Sequence, residues 1–389
     1  MRQILRITFA LLVFILVGCE KDDYGYGTEP DSTIPSLGTP PNNEIWFTTN
    51  DNKEPISLDQ SAFNVEIESI EVSEFGINTI RFVDTVTTIG KEAFSNCHNL
   101  LNISLPISIT TIEERAFFEC INIECLTLER GLRSCGFQAF DNCGNLNTLH
   151  IYSIKDWCLI DFASQTANPA YYSQTLYVEG TKIKKLSIPS NLSEIKPYAF
   201  TGNTAISEVI MPASVRTVGT KAFEECNYIS KVTTKDVETW CSIEFADEMA
   251  NPLSIAGNLY SETGLITDLT ISEAEIIKSR AFILCTSLTR LTIGDATKAI
   301  ENEAFRGCTS LTTLSLGAEI TNIGKSAFMG CMNLSKVECY ATTPPTLGDK
   351  YVFGYNADNR TIAVPAESLK AYKEHADWSL YADHIIAIQ

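Results

Sequence analysis

The chain is short of positive charge, of histidine, and of cysteine pairs at metal-binding spacing. Lys and Arg number 29 against 48 Asp and Glu, a formal net charge of −19 over 389 residues. No extended basic stretch exists to track a phosphate backbone, which argues against nucleic acid as a partner. The four histidines, His98, His150, His375 and His384, keep no spacing with the 13 cysteines that suits a tetrahedral site, and no Cys-x-x-Cys occurs. No Ser/His/Asp order, paired-carboxylate motif or phosphate loop emerges. The chain therefore reads as a non-enzyme, with no catalytic residue, metal or cofactor assigned. It also lacks an apolar run of the roughly 20 residues needed to cross a bilayer; Ile7 to Val17 falls short.

That short run has another reading. Arg2 and Arg6 precede it and Gly18-Cys19 closes it, which is the secretory pattern. "LVGC" (Leu16 to Cys19) resembles a bacterial lipobox, which implies loss of residues 1–18 and acylation of Cys19. Several acyl chains on one residue anchor stably where a single chain is marginal. "EKDD" (Glu20 to Asp23) resembles the signal that sends lipoproteins of Bacteroidetes to the outside of the outer membrane. The expected address is thus the outer membrane at the cell surface, by lipid anchor. Losing Arg2 and Arg6 takes the charge from −19 to −21. Residues 19–43 hold too few aliphatics to fold and are expected to form a flexible tether.

The body of the chain repeats. Ala-Phe pairs place Phe at 94, 117, 140, 200, 223, 282, 305 and 328, spaced 23, 23, 60, 23, 59, 23 and 23 residues apart. A period in the low twenties marks a leucine-rich solenoid. Apolar residues recur 6, 9 and 11 positions after Phe, as in Leu311, Leu314 and Leu316 (Thr234 is the exception), and again 5 before it, as in Ile300. The fold class expected is an α/β repeat solenoid with one short parallel strand per ~23-residue coil. The A-F segment is expected to be a helical turn. Three residues after seven of these phenylalanines stands a cysteine, at 97, 120, 143, 226, 285, 308 and 331, with Asn203 in the eighth place. Parallel Cβ vectors in a ladder do not give disulfide geometry, so buried free thiols are expected. Cys135 and Cys339 fall on core positions, and Cys158 and Cys241 in matching Trp-Cys pairs.

The two long gaps match. "IKDWCLIDFASQTANPAYY" (Ile154 to Tyr172) aligns with "VETWCSIEFADEMANPLSI" (Val237 to Ile255), each adding about 36 residues to the period. A short helix is expected around Trp157 and Trp240, broken by Asn-Pro. Hairpins near Gly180 and Gly264 should follow. "NEIWFTTNDNKEPISL" (Asn43 to Leu58) suggests strands around a turn at Asn50-Asp51-Asn52. Near the C-terminus, Val364 closes a strand, Pro365 to Glu374 suggests a helix, and Trp378 and Tyr381 should fold back on the last coil. The organisation is then residues 1–18 signal, 19–43 tether, 44–90 N-terminal β cap, 91–340 solenoid and 341–389 C-terminal cap.

The phrases A-F-x-x-C, L-x-x-L-x-L-P and x-x-I-G-x-x-A-F resemble the BspA-like (treponemal-type) leucine-rich repeat family. "IWFTT", the Trp-Cys/Asn-Pro inserts and the Pro-Pro/Val-Pro ending resemble its gut Bacteroidetes members. The resemblance implies an exposed lipoprotein. Some relatives act as adhesins, so the expected partner is a host matrix or other cell-surface protein, bound by a monomer.

If positions 9 and 11 face inward, positions 8 and 10 face out. The candidate binding face is Thr148, His150, Lys231, Thr233, Arg290, Thr292, Thr313, Ser315 and Lys336. Three cations on an acidic protein stand out there, and a protein-binding adhesin is the leading reading. The alternative is a glycan-binding surface lipoprotein of a nutrient-uptake system, resting on the insert aromatics Trp157, Trp240, Tyr171, Tyr172, Tyr177 and Tyr260.

Overall fold

Alternating apolar residues make each coil contribute a strand to a main parallel ladder, and the computed structural model shows these strands in register. It describes residues 34–55, 57–73 and 76–388; the signal segment, Cys19 and the start of the tether lie outside them. Cys125–Leu128 pairs with Thr148–Ile151, and Arg290–Ile293 with Thr313–Leu316, which pairs in turn with Lys336–Cys339. A second ladder of two-residue strands carries the residue five before each Phe, as in Thr88–Ile89, Thr111–Ile112 and Ser134–Cys135. The core between the ladders is one continuous apolar cluster.

The helical turn expected at A-F does not form. The segment is a run of tight turns, closed by bonds such as Ala93 N–H to the Gly90 carbonyl and Cys97 N–H to the Phe94 carbonyl (3.2 and 3.1 Å). The two turns closed by these bonds have positive φ at their third residue, as in type II. That residue falls two before and two after Phe: Glu92 (58°) and Asn96 (60°), or Glu303 (58°) and Gly307 (75°). In a helix running through A-F the Phe N–H would donate to the carbonyl four residues earlier. Here the Phe N–H reaches the next coil instead, from Phe94 to the Ala116 carbonyl and from Phe282 to the Ala304 carbonyl (both 2.7 Å). The rings follow the backbone: Phe282, Phe305 and Phe328 stack with centroids 5.0 and 5.3 Å apart and planes within 3°. That separation is close to the strand spacing of about 4.8 Å.

The cysteines are the inner corner of the same turn. All twelve described cysteines are buried and free. Cys120, Cys143, Cys226, Cys308 and Cys331 donate their thiols to the Phe carbonyl of the preceding coil at 3.0 to 3.3 Å. Burial pushes the Cys97 and Cys226 thiols up to about 12, so they hold their protons at neutral pH.

Each insert proves to be a coil of the stack. Ile154–Cys158 is a helix, and Asp161–Phe162 joins the second ladder beside Ser134–Cys135. The short helix Gln165–Ala167 takes the A-F place, where Phe140 N–H donates to the Thr166 carbonyl (3.1 Å). Tyr177–Val178 joins the main ladder beside Thr148–Ile151. Asn168 ends one helix, while Pro169 opens the next, Ala170–Ser173, rather than only breaking the chain. A hairpin with Thr181–Lys182 then ends the sheet, and a new one starts at Lys185–Ser187. The second insert repeats this from Val237–Trp240 to Gly264–Leu265. The main ladder is thereby cut into three blocks. Side chains bridge each cut: Trp157 Nε1 donates to the Ala199 carbonyl (2.6 Å), and Trp240 Nε1 to that of Ala281 (2.8 Å). Asn168 and Asn251 donate to the adjoining carbonyls of Tyr198 and Arg280.

At the start, Glu44–Thr49 pairs antiparallel with both Leu100–Ser104 and Asn78–Phe82. The strand expected after the turn at residues 50–52 is absent among the described residues; the next one is Ile67–Glu71. A further pair, Ala62-Phe63, sets its ring edge-on to Phe94 at 5.8 Å. At the other end Phe353 continues the ring stack, and Trp378 and Tyr381 close it at steep angles. Trp378 is fully buried, with its Nε1 on the Pro345 carbonyl (2.7 Å). The main ladder runs on through Thr361–Val364 and Ile385–Ala387.

Buried thiols give the stability a direction in pH. The unfolded chain releases thiol protons above about 9, whereas folded Cys97 and Cys226 keep theirs to about 12. The unfolded state thus binds fewer protons across that window, and stability falls as pH rises through it. Urea midpoints should hold steady to pH 8 and drop towards pH 10, with a flatter profile in Cys226→Ala. The turns give a second expectation. Gly330→Ala adds a left-handed penalty of about 1–2 kcal/mol, since φ is 75° and nothing lies nearer than 3.7 Å. Gly202→Ala should cost more, because its Cβ would also stand 2.9 Å from Tyr171 Cα; equal losses in urea titrations would contradict this.

Candidate functional site

Outward positions on the main ladder form two rows. In register, one runs Lys185, Glu208, Lys231 in the second block and Asp268, Arg290, Thr313, Lys336, Thr361 in the third. The other runs Ser187, Ile210, Thr233, Tyr260 and then Thr270, Thr292, Ser315, Glu338. Counting forward from A-F missed Lys185, Ser187, Asp268 and Thr270, because their strands follow insert coils that carry no A-F pair. The L-x-I pattern of "KLSIP" and "DLTIS" was the signal available.

In the first block this face is covered. Residues 34–40, which the sequence assigns to the tether, lie across it. Ser104 Oγ donates to the Gly38 carbonyl (2.7 Å), Ser36 Oγ pairs with Thr127 Oγ1 (2.9 Å), and His150 Nε2 meets the Ile34 carbonyl (3.0 Å). Every second residue of the segment thus meets the next coil. Thr39 Oγ1 adds a bond to Glu129 Oε1 (2.6 Å). Ser104 is fully buried, and Thr127, Thr148 and His150 are nearly so. Thr148 and His150 are therefore not open binding residues, and this stretch of the tether is not loose. Hydrogen bonding to the coils, rather than an apolar core of its own, holds it.

Lys231 and Thr233 lie outward on the second block and Arg290, Thr292, Thr313, Ser315 and Lys336 outward on the third, with Arg290, Thr292 and Lys336 exposed and the rest half-buried. The cations there do not form a free basic patch. Lys185 and Lys231 flank Glu208 (3.8 and 3.6 Å), Arg290 pairs with Asp268, and Lys336 pairs with Glu338 (2.8 Å). Lys231 also lies over the Tyr260 ring at 5.1 Å. Exposed pairs like these stabilise by well under about 1 kcal/mol each, but they cancel the field. The open face is close to neutral on a strongly acidic protein.

The insert aromatics separate into two kinds. Trp157 and Trp240 are buried at 1% exposure and bonded across the block cuts, so neither can serve as a stacking platform. Tyr177 is buried as well, whereas Tyr171 and Tyr172 are half-buried at a surface cleft. Among the described residues no group of three His, Cys, Asp or Glu side chains could hold a metal ion. Among them, too, no helix is long and apolar enough to cross a membrane.

The covering segment can be tested through Cys125. It lies in the outward row, buried, 4.0 Å from the Ile34 carbonyl, with burial pushing its thiol up to about 12. A protein shortened to residues 41–389 should show Cys125 alone alkylated by N-ethylmaleimide in the native state, read by peptide mass spectrometry. The longer chain should show none of its twelve buried thiols modified. A silent Cys125 in the shortened protein would mean that something else covers it.

Three comparisons with known proteins bear on this architecture. The search of curated proteins found no match. Among solved structures, a leucine-rich repeat protein from Bacteroides ovatus is 18% identical, covering 84% of this chain and 92% of its own, with a TM-score of 0.35. A leucine rich cell surface protein from Faecalibacterium prausnitzii is also 18% identical, covering 86% and 90%, at 0.39. The pneumococcal vaccine antigen PcpA is 15% identical, covering 83% and 88%, at 0.36. Likeness at these scores says nothing of ligand or role. The family profile described as BspA type leucine rich repeat region matches six copies, over residues 56–164, 172–249 and 253–376. Its gaps fall in the insert coils, at Asn168-Pro169 and Asn251-Pro252. The chain belongs to the BspA-type leucine-rich repeat family.

Proposed function

We propose that this protein is a surface-displayed, lipid-anchored adhesin that binds another protein on the open strand face between Lys185 and Thr361. Cys19 supplies the anchor, and the outer membrane is the site of attachment. The observation that carries the reading is the face itself. Within each of its two blocks the ladder strands run parallel and in register, and the outward side chains are mostly short hydroxyls and mutually neutralised ion pairs, with Ile210 and Tyr260 among them. A stiff, nearly neutral surface of this kind suits a broad protein contact, since little side-chain entropy is lost and no strong charge must be desolvated. It does not call for an acidic partner, because Lys231, Arg290 and Lys336 already have acidic neighbours.

Immobilised residues 20–389 should retain a protein from mucosal surface extract, and retention should survive periodate oxidation of the extract's glycans. Thr292→Arg with Ser315→Arg, both on the open face, should lower the retained amount about tenfold or more, a loss of at least ~1.4 kcal/mol. Lys298→Glu, on the second ladder's side, should leave it unchanged. Retention lost on oxidation would instead favour the glycan reading, and retention indifferent to the arginine pair would exclude this face.

A further inference from the structure

Where the chain leaves the A-F turns, on a different side from the strand face, the first insert (Tyr171, Tyr172, Gln174) and the coils flanking it (Gly144, Gly202, Glu225) line a cleft of about 430 Å³. That volume lies within the usual range for small-ligand sites. We propose that this cleft binds a neutral pyranose, such as the terminal residue of a glycan, independently of any protein bound on the strands.

The aromatic pair is held firmly. Tyr172 donates its hydroxyl to Asp141 Oδ1 (2.8 Å) and accepts from Asn142 N–H (3.0 Å). Its ring stands at 78° to that of Tyr171, centroids 5.1 Å apart. Gly202 makes room for Tyr171, because a Cβ there would stand 2.8 Å from its ring. Gly144 leaves the cleft open, since a Cβ at that position would meet nothing within 4 Å. Thr204 Oγ1 donates to Gln174 Oε1 (3.2 Å) and so orients the amide. An apolar ring face beside an oriented amide and a carboxylate matches a pyranose, which has an apolar C–H face and hydroxyls around its edge.

The charge around the cleft selects among sugars. Burial, then the carboxylates of Glu225, Glu224 and Asp141, raise the Tyr171 phenol above its ordinary value. The same negative surroundings oppose an anionic sugar and admit a neutral one.

The second insert supplies an internal comparison. Trp157, Asn168 and Pro169, which build the coil, recur unchanged as Trp240, Asn251 and Pro252. The residues lining the cleft do not recur: Gly144, Tyr171, Tyr172 and Gln174 correspond to Asn227, Ser254, Ile255 and Gly257. The coil therefore forms without the tyrosines, and its architecture does not require them.

Saturation-transfer NMR on residues 20–389 tests the assignment, with methyl glycosides of glucose, galactose, mannose and N-acetylglucosamine as probes and free sialic acid as the anionic control. At least one neutral glycoside should give saturation transfer at about 10 mM or below, a weak-binding regime, and sialic acid should give none. Tyr171→Ala should weaken that signal about tenfold or more, as expected for a lost stacking platform. Gly144→Asn, which copies the second insert into an open position, should do the same with an unchanged melting curve. Silence from every neutral glycoside, a stronger signal from sialic acid, or binding indifferent to both substitutions would overturn the proposal.

Discussion

The rest of the structure depends on one main-chain hydrogen bond, from each Phe N–H to a carbonyl of the next coil. All eight periodic phenylalanines make it: to Ala in five coils, to Val352 from Phe328, and to Thr166 and Met249 where an insert coil follows. A backbone group inside a packed core must find a partner, and a helix running through A-F would have turned these donors to carbonyls four residues earlier in the same coil. The tight turns that free them bring left-handed residues on either side of Phe, stacked rings, and an inner corner with room for a thiol. Cysteine fits that corner because its Sγ can donate to the Phe carbonyl beneath it while adding little polarity to the core.

The insert coils show what replaces the periodic contacts when the pattern is interrupted. Each carries a tryptophan and an asparagine whose side chains reach the carbonyls of the following A-F turn. Each also ends the main sheet with a hairpin whose outer strand is only two residues long, and so short an edge is a poor template for association. Lys196 and Lys278 fasten the second ladder at the cuts, through Asp161 and Glu244 (both 3.4 Å). The coil's construction is thus held by buried residues, which leaves surface positions such as Tyr171 and Gly144 able to vary. Room for function in this solenoid comes from that separation.

The strand face is divided in the same way. Its first part takes the chain's own residues 34–40, and its later parts lie open. The covered part shows how such a face can hold an extended segment, with one contact per coil at alternate residues. Two of those contacts use small hydroxyl side chains, Ser104 and Thr127, and the third the His150 imidazole. On a chain of net charge −19, the near-neutrality of the open part lowers the local repulsion an acidic partner meets once within about a Debye length of it.

The period, the inward columns, the free thiols and the capping tryptophan at position 378 could all be read from the sequence. Each follows from burial, and burial imposes a regular apolar spacing that needs no knowledge of distant residues. The existence and equivalence of the inserts were legible for the same reason. Their standing as full coils was not, because the Asp161–Phe162 and Tyr177–Val178 strands are defined by partners in neighbouring coils. Nor was the turn at A-F, where the destination of a hydrogen bond decides between helix and tight turn. The candidate face was legible as a set of outward positions, but its chemistry was not. His150 is covered by a segment more than a hundred residues upstream, Thr148 is buried beside it, and Lys231, Arg290 and Lys336 are neutralised by acids on the same or adjoining strands. Local spacing determines which side of a strand a residue takes; only the folded chain decides what lies across from it.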